Sequence, residues 1–248
     1  MESRDGAVLD IKGLRKSFGT QVVLNGIDLK VARGETVVVL GRSGTGKSVL
    51  LKLIIGLHKP DSGSIEVHGS EITHLAMDQL NELREKMGFL FQYAALFDSL
   101  TVHQNVAFPL LRHTKLAGNE LSERVRALLA RVGIENAAGK LPGQISGGMK
   151  KRVGLARALA LDPEVMLFDE PTAGLDPITA GEINELIQDL QSERKMSSVV
   201  VTHDMHSARA ISDRVALLHE GNILFEGPFD DLKNHENDFV SEFVRQGS

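Results

Sequence analysis

Two short stretches of this 248-residue chain hold side chains suited to one piece of chemistry. Gly41-Arg42-Ser43-Gly44-Thr45-Gly46-Lys47-Ser48 fits the pattern G-x-x-x-x-G-K-[ST] at every fixed position. A glycine-rich loop of this kind curls so tightly that its N–H groups point inward at phosphate oxygens, and a helix opening at Lys47 adds a positive N-terminal end. Lys47 supplies a point charge for the β- and γ-phosphates, and the Ser48 hydroxyl is placed to bind Mg²⁺. The loop alone specifies a nucleoside triphosphate and no particular reaction. The second stretch, Val165-Met-Leu-Phe-Asp169-Glu170, narrows the choice. An acid ending a buried strand, Asp169, can hold the magnesium shell. Its neighbour Glu170 can take a proton from an attacking water, provided it is positioned and partly desolvated.

These residues need a frame. Residues 36–40 (TVVVL) are apolar without alternation, as in a strand buried on both faces, and they run straight into the glycine loop. A helix is predicted over 47–55, further buried strands over 165–168 and 198–202, and helices over 178–191 and 206–212. Strands alternating with helices predict an α/β fold with a largely parallel sheet covered on both faces. Residues 8–14 and 22–31 read as strands of an N-terminal β part, punctuated by Gly19 and Gly26. Between about 93 and 160 the patterns are helical only, for example 122–132 and 147–160, which predicts a helical subdomain inserted into the sheet. Residues 215–219 and 221–225 read as a hairpin closed by Glu220-Gly221, followed by a charged helix or tail. The expected organisation is one domain over 1–248, with a core of 1–92 and 161–230, a helical subdomain of 93–160 and a tail of 231–248.

Composition excludes several classes. The formal charge of −5 argues against a nucleic-acid partner, which usually meets a basic field. The chain has no cysteine, which excludes a disulfide framework, a thiolate zinc site and a cysteine nucleophile. The start, MESRDGAVLD, lacks the apolar core of a signal peptide. The most apolar stretch, 49–57, is broken by Lys52 and falls far short of the ~20 residues of a membrane span.

With these motifs in order, the chain resembles the ATP-binding-cassette (ABC) ATPases from about Val8 to Phe229. Ser146-Gly147-Gly148-Met149 is similar to the family's signature loop, Gln92 to its Q-loop, Ala173-Gly-Leu-Asp176 to its D-loop, and His203, after Val199-Val-Val-Thr, to its switch histidine. The resemblance implies a P-loop NTPase fold that binds ATP and Mg²⁺, hydrolyses ATP, and works as a homodimer. Ser146 and the Gly147 and Gly148 amides would then grip the γ-phosphate of ATP held by the other subunit, since a helix N-terminus offers such an anion site. Gln92 would sit at the magnesium and the water with Ser48 and Asp169, and His203 would hold water and Glu170 in geometry. Phe18 stands at the adenine-stacking position, where the family often has tyrosine; stacking uses the ring face and survives that change. The signature departs at its ends, with Ile145 and Met149 where Leu and Gln are commoner. Lys150, Lys151 and Arg152 follow it, either raising positive potential near phosphate or covering a solvated helix face.

Residues 91–110 (FQYAALFDSLTVHQNVAFPL), together with Ser-Gly-Gly-Met149, resemble the ATPases of the lipid-asymmetry (Mla) and mammalian-cell-entry (MCE) transporters. That resemblance implies a membrane permease docking near residues 93–110, an MCE lipid-binding protein in the complex, phospholipid as cargo, and a peripheral place on the cytoplasmic face of the inner membrane. Tyr93, Leu96, Phe97, Leu100 and Phe108 offer apolar surface for a permease helix or, equally, core for the insertion. An importer or exporter of another solute would share all the catalysis. A soluble ABC protein acting on nucleic acid or ribosomes would normally carry two cassettes, and a scaffold without turnover would lack Glu170.

Overall fold

The computed structural model describes residues 6–194 and 196–246. Residues 1–5, part of the stretch read for a leader, and the last two residues of the predicted tail lie outside them. The chain opens with β1 (Ala7–Phe18), β2 (Gln21–Ala32), β3 (Thr36–Leu40), α1 (Lys47–Ile54), β4 (Ser62–Val67) and β5 (Ser70–Glu71). It continues through α2 (Met77–Glu85), β6 (Met87–Leu90), α3 (Val102–His113), α4 (Gly118–Arg131), α5 (Gly147–Ala158) and β7 (Val165–Asp169). Then follow α6 (Pro177–Arg194), β8 (Ser197–Thr202), α7 (Met205–Ile211), β9 (Arg214–His219), β10 (Asn222–Gly227) and α8 (Asp238–Gln246).

The central sheet has the order β10-β9-β3-β8-β7-β6 and is parallel except for the β9–β10 hairpin. Strand β3 shows why its sequence has no polar alternation. Val38 and Leu40 enter one apolar cluster, with α3 to α8, while Val37 and Val39 enter another, with α1 and the N-terminal strands. Both faces are core, so both must be apolar. The four N-terminal strands form a separate antiparallel sheet in the order β2-β1-β4-β5. Strand β1 runs four residues past the predicted end at Leu14, because the register shifts around Gly13, whose N–H donates to Asp28 (2.7 Å), and pairing resumes beyond. Such a bulge bends a strand without ending it. Glu220 and Gly221 both have positive φ (45° and 77°), the two-residue turn expected for the hairpin.

Between β6 and β7 the described residues hold α3, α4 and α5 and no strand. Strand β6 itself, a four-residue edge of the sheet paired with β7, carries too short an apolar run (MGFL) to be read from sequence. The end of the chain docks on its own body. Val240, Phe243 and Val244 of α8 join the core, and the Phe239 ring stacks on His219 at 3.6 Å. The Arg42 guanidinium lies over that ring at 5.1 Å and 3.6 Å from Glu242.

Candidate functional site

The parallel strands β3, β7 and β8 end side by side, and their registers fix what lies beyond them. Leu40 pairs with Thr202, and Asp169 with Val201, so the glycine loop, the acidic pair and His203 leave the same edge of the sheet. Pairing of Leu90 with Phe168 brings Gln92 level with Glu170. In open α/β sheets this carboxyl edge is where ligands bind.

The glycine loop is pressed against β2. A side chain at Gly46 (φ 101°) would put its Cβ 2.7 Å from the Val23 side chain and 3.1 Å from its carbonyl oxygen, so only glycine lets the loop close there. Helix α1 begins at once and has no side-chain cap, leaving its first amides available to an anion. Lys47, on its first turn, is buried. Its Nζ donates to the carbonyls of Gly41 (2.7 Å) and Arg42 (3.0 Å) and lies 3.4 Å from Glu170 Oε1. Burial lowers the Lys47 pKa, and Glu170 partly offsets this.

Ser48 Oγ donates to Asp169 Oδ1 at 2.7 Å. Asp169 is buried at the end of β7, and desolvation raises its carboxyl above the ordinary range despite that bond. The raised carboxyl marks a place where negative charge lacks full compensation. The donors gathered there, a hydroxyl and a carboxylate, are the hard oxygens that Mg²⁺ prefers, so these residues fit that ion.

Glu170 is the most constrained side chain of the site. Its backbone sits at φ 47°, a region rarely used by a residue with a Cβ, and is pinned by its N–H donating to Val201 O (2.9 Å). Its Oε2 accepts from the Thr202 hydroxyl (3.1 Å) and meets His203 Nδ1 (3.0 Å). The expected Lys47, Ser48, Asp169, Glu170 and His203 therefore form one connected group. Thr202, buried beneath it, is a partner that sequence reading passed over; its place directly before His203 was the available signal.

Phe18 ends β1 with its ring 46% exposed, edge-on to His58 at 5.5 Å, with Lys16 Nζ 5.3 Å from the ring centre. Ser146 caps α5, its Oγ accepting from Met149 N (3.3 Å), and both Ser146 and Gly147 are exposed. Gly148 packs so closely on α6 that a Cβ would meet Thr179 Cγ2 at 2.5 Å, and Met149 is half-buried against the core. Asp176 caps α6, accepting from the N–H groups of Ile178 (3.1 Å) and Thr179 (3.0 Å) and from the Thr179 hydroxyl (2.6 Å). Those bonds, the hydroxyl's first, hold its pKa below the usual carboxylate value.

The basic run after the signature glycines needs correction, since it is no uniform face. Lys151 is only 5% exposed, and its Nζ donates to the backbone carbonyls of Gln92 and Glu170 (2.8 Å to the latter). Arg152 instead pairs with Glu182 (2.9 Å) and caps Val132 O (2.9 Å). For Lys151 the solvated reading fails because the side chain points into the sheet edge.

A helix N-terminus without a side-chain cap, a magnesium-fitting pair and a held carboxylate on one sheet edge define a P-loop nucleoside triphosphatase. The ABC transporter family matches residues 24–173, and the chain belongs to it. It is an ABC ATPase, which binds ATP with Mg²⁺. The chain is 41% identical over 239 residues to the "Probable ribonucleotide transport ATP-binding protein mkl" of Mycobacterium leprae (strain TN), covering 96% of this chain and 69% of that protein. It is 43% identical over 224 residues to the "Methionine import ATP-binding protein MetN" of Brucella abortus (strain 2308), covering 89% of this chain and 60% of that one. Among solved structures, a dimeric ATP-binding cassette in a post-hydrolysis state bound to ADP and Pi superposes with a TM-score of 0.83 at 34% identity, over 89% of this chain and 98% of that one. The cbiO1 protein of Clostridium perfringens, part of an ABC transporter complex, gives 0.84 at 32% identity, over 98% and 94%.

Proposed function

We propose that this chain is the ATP-hydrolysing subunit of a membrane transporter, acting as a homodimer whose two sites are each completed by the other subunit. The observation that carries this reading is Glu170, held by Lys47 on one oxygen and by Thr202 and His203 on the other. Lys47 and the loop Gly41, Arg42, Ser43, Gly44, Thr45 and Gly46 bind the phosphates, and Phe18 stacks on adenine. Ser48, Asp169 and Gln92 hold Mg²⁺, which when bound neutralises charge on the phosphate oxygens. A phosphate oxygen drawn to Lys47 competes with Glu170 Oε1 for the same ammonium, and the freed oxygen accepts a proton as water attacks the γ-phosphorus. The bond from that phosphorus to the β–γ bridging oxygen breaks, leaving ADP and phosphate. His203 keeps the carboxylate aimed. Ser146, Gly147, Gly148 and Met149 reach the γ-phosphate of the partner's ATP, and Asp176 sits on the same interface.

The cargo reading rests on residues 91–110 and the signature methionine. Tyr93 is 86% exposed, and Phe97 and Phe108 stand with ring centres 4.8 Å apart, 43% and 41% exposed. This apolar surface just past Gln92 suits a short permease helix. No helix of the described residues is long and apolar enough to cross a membrane. We assign phospholipid as cargo, moved between membranes with an MCE lipid-binding protein, the chain lying on the cytoplasmic face of the inner membrane. The names of the relatives favour a second reading, transport of another solute by the same ATPase.

Affinity purification of the tagged chain from native membranes separates these readings. A co-purified permease with an MCE-type protein and bound phospholipid is expected. A permease paired with a soluble solute-binding protein would replace the lipid assignment, and the absence of any permease would overturn the transporter reading.

A further inference from the structure

Helix α5 begins at the exposed signature serine, yet its next turn reaches back into its own chain. Lys151 is buried there on two backbone carbonyls, those of Gln92 and Glu170, while the carboxylates of Asp169 and Glu170 attract it without forming an ion pair among the described residues. An ammonium buried on carbonyls carries a desolvation cost that a methionine or leucine in the same place would avoid. Packing alone therefore does not account for a lysine here.

The neighbouring positions on the helix aim at the same target. At Gly154 a Cβ would lie 2.8 Å from Leu90 Cδ1 and 3.0 Å from Ala94 Cβ, so the glycine lets α5 approach β6 and the loop after it. Arg157, a turn further on, donates to the carbonyls of Ala94 (2.6 Å) and Ala95 (2.7 Å). Those two alanines have φ of 58° and 47°, and Glu170 has 47°. Backbone in this sparsely populated region persists only where its surroundings over-determine it. One helix thus grips the strained segment after Gln92 and the strained residue Glu170 together.

We propose that Lys151 is a positioning residue for the ATPase reaction, fastening the signature helix to the backbone at both Gln92 and Glu170. The inference rests on the reading of Glu170 as the base, and adds a path to it. The outer end of α5 faces the partner's ATP in that reading, while one turn inward Lys151 holds the chain's own Glu170. A displacement of the signature end is thereby passed to the hydrolytic side chain of the other composite site. The lysine touches neither water nor phosphate; it acts through the carbonyls that set where Gln92 and Glu170 stand.

The test uses the assembled membrane complex carrying K151M, K151R, K151Q or E170Q, with ATP turnover measured against ATP concentration. K151M removes the charge and all donors at similar volume. We expect its kcat to fall at least tenfold with KM for ATP changed less than threefold, and K151R, which keeps charge and donors, to recover most of the loss. A kcat for K151M within twofold of wild type, or a loss confined to KM, overturns the inference while leaving the Glu170 reading in place. A wild-type-like E170Q instead removes the base and the inference with it. If K151M fails to assemble, K151Q against K151R decides. Wild-type kcat in K151Q overturns the proposal, and a fall that only the arginine reverses supports it.

Discussion

Two helices in this chain begin at glycine-rich loops, and they end up in opposite chemical surroundings. Helix α1 starts at Gly46 with no side chain capping it, and its first turn is enclosed by Lys47, Asp169 and Glu170. Helix α5 starts at Ser146, whose own hydroxyl accepts from the third amide; Ser146 and Gly147 are exposed, and the first turn carries no acidic residue. In the proposed reading the first is a phosphate site furnished with chemistry, and the second is a phosphate contact without any. In the proposed head-to-tail dimer, each site of the first kind is completed by a contact of the second kind from the other chain.

The sharpest way to break the comparison is to empty the furnished side of its base. E170Q keeps the cradle, so ATP binding should persist, while turnover falls by roughly 10²–10⁴, the usual cost of a lost positioned base. Steady-state hydrolysis with a parallel nucleotide-binding measurement checks both halves, and wild-type turnover would remove Glu170 from the mechanism.

Next comes the pairing of the two loops. K47A deletes charge-assisted bonds worth about 1.5–3 kcal/mol, so nucleotide affinity should fall roughly 10–10²-fold. S146R should leave affinity at the cradle intact and stop hydrolysis by blocking the partner's site. When the two variants are mixed in the assembled complex, one of the two sites joins an intact cradle to an intact signature loop. That site should recover activity which neither homodimer shows. An S146R homodimer with normal hydrolysis would show that each chain is self-sufficient, and the contrast between the loops would lose its meaning.

A smaller effect sharpens the furnished side. T202V removes the buried hydroxyl that donates to Glu170 Oε2 and accepts from Asp204 N. Loss of one bond to a carboxylate corresponds to about a tenfold fall in kcat, with KM little changed. An unchanged kcat would mean that Lys47 and His203 orient Glu170 without the hydroxyl.

What could be read from sequence divides along the same line. Residues 41–48 and 165–170 announce themselves because local conformation dictates their residue types: glycines where the loop must close, apolar β-formers where a strand is buried on both faces. The helical character of 93–160 followed from periodicity. Strand β6 was missed because four residues carry no period, and its identity comes from pairing with β7, seventy-odd residues away. Lys151 carries two readings in sequence because a lysine on a helix says nothing of which face it occupies until Gly154 and Arg157 have partners. The place of the tail was equally closed to sequence. Phe239 and Phe243 show an apolar face, but only the fold reveals that His219, Arg42 and the core supply its cover.

The smallest predicted effect tests the seam between the two loops. Gly148 rests on Thr179, and Thr179 is tied to Asp176, which caps α6 through its carboxylate. Those bonds depress the Asp176 pKa, so the folded chain holds this group ionised at a pH where the unfolded chain has begun to protonate it. The unfolded state then binds more protons, and stability must fall as pH drops. The contribution is whole above the model-peptide value of ~3.9 and disappears as pH passes below it through the folded value. D176N keeps a capping oxygen that does not titrate, and asparagine caps helices about as well as aspartate. Denaturant unfolding of wild type and D176N should therefore differ most near neutral pH, with wild type the more stable, and the gap should close as pH falls below about 4. A gap that stays constant across that range would show that the cap is set by backbone geometry, and that the carboxylate does not anchor the start of α6 beneath the signature loop.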